Sequence, residues 1–341
     1  MQQTPWPPIR EIESIDAVGN PDFAADYSAR SQPVVVRGLA NDWPLVTAGR
    51  AGPAEAAAYL HKFDRGQAVR LMRAPAAAGG RFFYSPDMRG FNFAAEGAQI
   101  SALMDELIAR AGDSGADALY AGSAPIAQHM PGLNEANPLR AAAPGASPRI
   151  WIGNATHVAA HYDMSDNIAV VALGRRRFTL FPPDATPDLY VGPLNVTLAG
   201  QPVSMVDLRA PDLDRYPRFA HAMERAMFAE LDPGDAIFIP TLWWHNVEAL
   251  DDVNILVNYW YNPPPFSSPL AALIDGVLSI RELPPAQRAA WRVWFEHFVF
   301  SDDAHSAADH LPPHARGPLG PATPQRNEML RRYLLGGFNR T

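Results

Sequence analysis

Apolar positions along this chain change their period twice, and the changes divide it into three stretches. The first is mixed. Pro33-Val-Val-Val-Arg37, a β-branched run closed by Gly38, predicts a buried strand, as do 69–72 and 82–84. Residues 53–62 open on proline and continue in helix formers, and 99–111 place Ile100, Leu103, Met104, Leu107 and Ile108 at helical spacing. Both predict helices.

From about 149 to 262 the period shortens. Segments 149–153, 161–173, 176–181, 236–240, 243–250 and 254–261 predict strands, with turn signals at Gly174, Pro182-Pro183 and Asp232-Pro-Gly-Asp235. Short strands between turns predict an antiparallel sandwich or barrel. Pro263-Pro264-Pro265 is a stiff boundary, and helical spacing returns behind it. Ser268-Pro269 caps a stripe of Leu270, Leu273, Ile274, Val277 and Leu278. A second helix, 285–300, gathers Trp291, Trp294, Phe295 and Phe298 on one side, and 323–335 predicts a last one beyond an irregular loop, 301–324. Two regions are therefore expected, 1–265 and 266–341. The tail helices carry enough apolar surface to cover the barrel or to pair two chains, and a homodimer through 266–341 is the expectation.

Composition narrows the chemistry. The chain has 341 residues and no cysteine, which excludes thiolate metal sites, disulfides and a Cys nucleophile. Its net charge of −8 argues against nucleic acid and anionic membrane as partners. Met1-Gln-Gln-Thr-Pro-Trp-Pro-Pro8 lacks the features of a signal peptide and no stretch is long and apolar enough to span a bilayer, so a cytoplasmic protein is expected. Lys62 is the one lysine among 28 basic residues.

Any metal must then sit on His, Asp, Glu or backbone oxygen. His161-Tyr-Asp163 lies in the strand-rich stretch, and residues two apart on a strand share a face. A His-x-acid pair is expected about once by chance in a chain with 10 His and 36 acids, so a structural histidine stays open. His245, on one face with Trp243 and Val247, points inward; it is either a core histidine bonded to a carbonyl or a third ligand. Two His and a carboxylate would make the facial triad of non-haem Fe(II) oxygenases. Arg176 alternates with Phe178 and Leu180, and an inward arginine needs an anion. Arg175 and Arg177 are expected in solvent. Asn167 and Asn258 fall on inward faces. His297, His305, His310 and His314 are irregularly spaced in or near a Pro-rich loop, as solvated residues are.

These motifs in order, His161-Tyr-Asp163…Asn167…Gly174-Arg-Arg-Arg-Phe-Thr-Leu-Phe-Pro-Pro183…Asp232-Pro-Gly-Asp-Ala-Ile-Phe-Ile-Pro240…Trp-Trp-His245-Asn-Val-Glu and Val257-Asn-Tyr-Trp-Tyr261, resemble the JmjC/cupin-like 2-oxoglutarate oxygenases. The match is strongest with the cupin-like branch that includes the asparaginyl hydroxylase of hypoxia-inducible factor, and Pro33-Val-Val-Val-Arg-Gly-Leu-Ala…Asp-Trp-Pro44 matches how that branch begins. The resemblance implies a double-stranded β-helix (jelly roll), mainly β with helices and a C-terminal helical extension. It implies Fe(II) on His161, Asp163 and His245, and 2-oxoglutarate with its distal carboxylate on Arg176 and the Tyr120 hydroxyl. It also implies that Asn167 and Asn258 line the cosubstrate site. Arg176 stands where the branch usually has lysine, in keeping with a chain that writes nearly every cation as arginine, and Val158 stands where it often has threonine. The activity implied is hydroxylation of a protein side chain or small molecule. A silent cupin that binds a small molecule, and a metal-dependent isomerase or hydrolase, are the alternatives.

Overall fold

The structure, a computed structural model, describes residues 10–17, 27, 29–139, 141 and 145–338; the N-terminal octapeptide lies outside them. The chain forms two compact units, Met1–Pro263 and Pro264–Thr341. Fifteen strands run in chain order: β1 (Arg10–Glu11), β2 (Ser14–Asp16), β3 (Val34–Arg37), β4 (Val69–Ala74), β5 (Arg81–Phe82), β6 (Ala94–Ala98), β7 (Ala118–Pro125), β8 (Ser147–Gly153), β9 (His157–His161), β10 (Asp166–Leu173), β11 (Arg176–Phe181), β12 (Met227–Leu231), β13 (Ala236–Ile239), β14 (Trp244–Ala249) and β15 (Asn254–Tyr261).

They build two sheets in the first unit, one of six strands in the order β1-β12-β11-β14-β9-β5 and one of nine in the order β2-β3-β13-β10-β15-β8-β7-β4-β6. Between β8 and β15 the chain alternates between the sheets except from β11 to β12, with β8, β10, β13 and β15 in the larger and β9, β11, β12 and β14 in the smaller. That alternation is a jelly roll. Two turns hold the corners where the chain crosses between sheets. Gly174, at φ +71°, turns β10 into β11 where a Cβ would meet Asn254 Oδ1 at 2.3 Å. Asp235, closing the Asp-Pro-Gly-Asp turn, accepts from the Gly38 N–H at 2.9 Å and from Arg37 at 2.8 Å, tying β13 to β3.

Period-2 alternation sorts β10 and β15 into two faces. Ile168, Val170, Ala172, Val257 and Tyr259 pack outward against Leu45, Val46, Leu60, Leu103 and Met104 of helices Pro44–Ala51, Pro53–Leu60 and Ile100–Ala109. Ala169, Val171 and Leu256 face inward, against Phe178, Leu180 and Val247 of the smaller sheet.

Three expectations need correction. The single strand over 161–173 is two strands, because the chain crosses between sheets at Tyr162–Ser165; Asp163 therefore sits in a turn rather than on a strand with His161. The helix Pro285–Phe295 continues only as a π turn, Glu296–Phe300, and the 301–324 stretch contains short 3₁₀ turns. The stretch before 149 holds two strands beyond those expected, β6 and β7, which with β3 and β4 extend the larger sheet. In the second unit Ser268 caps Pro269–Ser279 as its sequence predicts, its side chain accepting from Ala271 N. No helix among the described residues is long and apolar enough to cross a membrane.

Candidate metal centre

His161 ends β9, His245 is the second residue of β14, and the two pair across the smaller sheet with ring centroids 4.3 Å apart. The turn after β9 swings Asp163 beneath them. Its backbone carbonyl accepts from the Leu242 N–H at 3.0 Å, which ties the turn to the segment leading into β14. One ligand atom from each of the three side chains lies within 4.8 Å of the others, and no second such group gathers among the described residues. His297, His305, His310 and His314 form none.

Each ring is aimed by its other nitrogen. His161 Nδ1 lies 2.9 Å from the Ala159 carbonyl and His245 Nδ1 3.0 Å from the Trp243 carbonyl. Those bonds place the proton on Nδ1 and leave each Nε2 lone pair free, so His245 is both carbonyl-bonded and available as a ligand. Burial first, then the neighbouring His161, holds His245 down to about 4, against the pull of Asp163; it is neutral at physiological pH. Asp163 Oδ2 accepts from Asn167 Nδ2 at 3.1 Å and Trp260 Nε1 at 3.0 Å. Behind it, Asn258 Nδ2 donates to Asn167 Oδ1 and Trp151 Nε1 donates to Asn258 Oδ1, at 3.1 and 2.6 Å. Two imidazoles with Nε2 turned to one point and an oriented carboxylate are the donor set of a divalent transition metal with open positions.

The three groups line a cavity of about 620 Å³ together with Arg176, Tyr120, Val158, Asn167 and Asn258. Arg176 is 1% exposed, yet its Nε and Nη2 have no partner. Burial lowers its pKa, with Tyr120 opposing, but an arginine stays charged. Tyr120 is pushed up to about 12, chiefly by burial, so its hydroxyl keeps its proton as a donor. An interior cation with two orphaned N–H groups is a seat for a carboxylate. Asn167 and Asn258, expected on the cosubstrate, line the cavity but direct their amides to each other, to Trp151 and to Asp163. Arg175 and Arg177 lie exposed on Asp251 and Glu230. The sequence reading missed Arg149 and Arg70, which also line the cavity; the two-residue step back from Trp151 along β8 was the signal for the first.

A jelly roll whose inner face carries two imidazoles, a carboxylate and a buried cation belongs to the cupin class of metal-binding folds. The chain is a member of the cupin-like domain family, whose pattern matches residues 20–267. It is 35% identical over 117 residues to lysine-specific demethylase JMJ31 of Arabidopsis thaliana, covering 34% of this chain and 21% of that protein. Over 119 residues it is 37% identical to HSPB1-associated protein 1 of Homo sapiens, 34% of this chain and 24% of that one. Over 105 residues it is 37% identical to tRNA wybutosine-synthesizing protein 5 of Mus musculus, 30% of each. The matches thus span less than a third of these curated relatives. An X-ray structure of E. coli ycfD aligns with 94% of this chain and 68% of its own, at 17% identity and a TM-score of 0.42.

Proposed function

We propose that this chain is an Fe(II)- and 2-oxoglutarate-dependent oxygenase that hydroxylates a protein side chain or small molecule. The observation that carries the reading is Arg176, a buried cation bonded to Tyr120 but with no carboxylate partner and with its Nε and Nη2 unbonded, in the same cavity as the His161, Asp163 and His245 donors. Those three would hold the iron, and Arg176 with the Tyr120 hydroxyl would take the distal carboxylate of the cosubstrate. Metal and cosubstrate supply the oxidising chemistry when bound. The protein's own part is positioning and exclusion. The Ala159 and Trp243 carbonyls fix the two imidazoles, while Trp260 and Asn167 fix the Asp163 carboxylate. Asn258 and Trp151 hold Asn167 in turn. Trp151, Val158 and Phe178 keep the wall of the cavity apolar. Under anaerobic conditions, protein with Fe(II) and 2-oxoglutarate is expected to show a weak visible charge-transfer band that His161→Ala and Asp163→Ala lack. Equal iron binding by wild type and both variants would overturn the assignment.

We read the second unit as a homodimerising one. Helices Pro269–Ser279 and Pro285–Phe295 bury no residue, and Leu278 and Val293 are 73% and 67% exposed. The expected solution mass is that of a dimer, reduced to a monomer on deletion of 266–341; a monomeric full-length chain would refute it.

A further inference from the structure

The cavity holds a second unmatched cation. Arg149, on β8, lines it beside the metal-ligand candidates. Both of its hydrogen bonds leave from Nη1, to the Ser123 carbonyl and to Ser123 Oγ, each at 3.1 Å. Its Nε is buried without a partner, and no carboxylate pairs with it among the described residues. The guanidinium lies over the Trp260 ring, 5.1 Å from the centroid, and the same indole donates to Asp163 Oδ2. One indole therefore separates Arg149 from the carboxylate of the metal triad.

This placement is built in. β7 and β8 lose register between Ala121 and Ala124, and Ser123 at the bulge takes φ +58°. The bulge brings both Ser123 oxygens to one nitrogen of Arg149 and leaves the Nε–Nη2 edge unused. That edge is the one that grips a carboxylate in two parallel bonds. Before it, Gly122 makes room for the cavity wall, since a Cβ there would meet the Trp151 ring at 3.1 Å.

Charge balance points the same way. Arg70, Arg149 and Arg176 line the cavity against one carboxylate, Asp163, although the chain as a whole carries −8. A divalent metal and a dianionic cosubstrate would cancel each other, so two positive charges remain. Arg176 is claimed by the cosubstrate; Arg149 and the exposed Arg70 are not.

We infer that Arg149 is a specificity residue that receives a carboxylate of the substrate, with Arg70 adding to the attraction from the cavity's edge. The inference rests on the oxygenase reading for the word substrate. The carboxylate belongs either to a free small acid or to an Asp or Glu side chain of a peptide. The positive charge lies within the cavity of an acidic protein, where it focuses small anions rather than a polyanion.

Calorimetric titration tests it on protein loaded with Mn²⁺ and N-oxalylglycine, an unreactive 2-oxoglutarate analogue. The probes are 3-phenylpropionate against its amide, and N-acetyl-Ala-Glu-Ala-amide against the Gln peptide. In at least one pair the acid is expected to bind tenfold or more tighter than its neutral twin. Preference in the first pair assigns a free acid, in the second a side chain. Arg149→Gln is expected to equalise the preferred pair, while Arg149→Lys retains part of the difference. N-oxalylglycine affinity should stay within about twofold in Arg149→Gln and collapse in Arg176→Gln. The acid–amide comparison on wild type needs no variant to fold. Absence of acid preference in both pairs, binding too weak to measure included, overturns the inference. So does a preference that survives Arg149→Gln, or a loss of analogue binding in Arg149→Gln as large as in Arg176→Gln. The same titrations without metal and analogue read Arg149 even where Mn²⁺ and N-oxalylglycine fail to bind, an outcome that would count against the oxygenase reading instead.

Discussion

β10 and β15 pair residue for residue over Asp166–Val171 and Leu256–Tyr261, yet their two faces do opposite work. Outward, Ile168, Val170, Val257 and Tyr259 meet three helices in an apolar layer. Inward, one residue along, stand Asn167, Asn258 and Trp260, bonded into a chain that ends on the Asp163 carboxylate. A period of two lets one ladder serve both purposes, because neighbouring residues never share an environment. The outer face minimises polar groups. The inner face concentrates them, and leaves Arg176 and Arg149 incompletely paired. Burial without partners is unfavourable for the empty protein and useful only to a ligand.

The comparison breaks most sharply at the candidate metal donors. His161→Ala on the inner side should reduce Mn²⁺ affinity by more than the roughly 10–100-fold typical of losing a supporting group, while the melting temperature of the metal-free protein barely moves. Calorimetry with Mn²⁺ and a thermal melt read the two quantities separately. Ile168→Ala on the outer side should do the reverse. Ile168 is fully buried, and truncation should cost about 2–5 kcal/mol in urea unfolding, with Mn²⁺ affinity of the folded fraction unchanged. If the two variants altered stability and affinity in proportion, the faces would not be separable.

That separation was legible in the sequence because Asn167 and Asn258 share a period of two with Ala169, Val171 and with Leu256, Trp260, and alternate with the apolar Ile168, Val170, Val257 and Tyr259. The sandwich of short strands and the inward Arg176 followed from the same period, while the jelly roll came from the family resemblance. Asp163 did not, since His161 and Asp163 two apart read as one face of a single strand through 161–173, which hides the crossing between sheets; only pairing with different partners ends β9 and starts β10. β6 was illegible for another reason. Ala94–Ala98 is alanine-rich and mostly exposed, and its partner β4 rather than its own propensity makes it a strand. β7 contains Gly122, Ser123 and Pro125, which read as a turn, and the bulge there explains why Arg149 went unnoticed.

Arg176 allows a smaller and more diagnostic effect. Replacing a buried, uncompensated charge by an apolar residue of similar bulk removes a desolvation penalty. Arg176→Leu should therefore stabilise the ligand-free protein, by about 1–4 kcal/mol, and abolish N-oxalylglycine binding. Chemical denaturation with and without the analogue measures both. A destabilised variant would mean that the guanidinium is satisfied in the empty cavity, and the contrast between faces would lose its main support.

His157 tests whether the outer side of the smaller sheet also tolerates a strained polar group. It is 1% exposed, and its Nε2 accepts from Asn246 Nδ2 at 2.6 Å. Burial first and then Arg209 hold its pKa down to about 4, against Asp207 and Glu248, so the folded protein keeps it neutral. In the unfolded chain it titrates near 6.5. Between those values the unfolded state binds the extra proton, so stability is full above about pH 6.5 and is lost as the pH falls toward 4. The loss attributable to this residue is on the order of 2–3 kcal/mol. Urea unfolding of metal-free wild type and His157→Gln across that range isolates it, since the carboxylates and the two other imidazoles titrate in both proteins. Glutamine retains an acceptor for Asn246 and takes up no proton. The wild-type curve should fall more steeply, the two converging at low pH relative to their separation at pH 7. Parallel curves would show that His157 is protonated in the fold with Asp207 as its counter-ion, 3.8 Å away. In that case only the inner face of the jelly roll would hold polar groups against their preference.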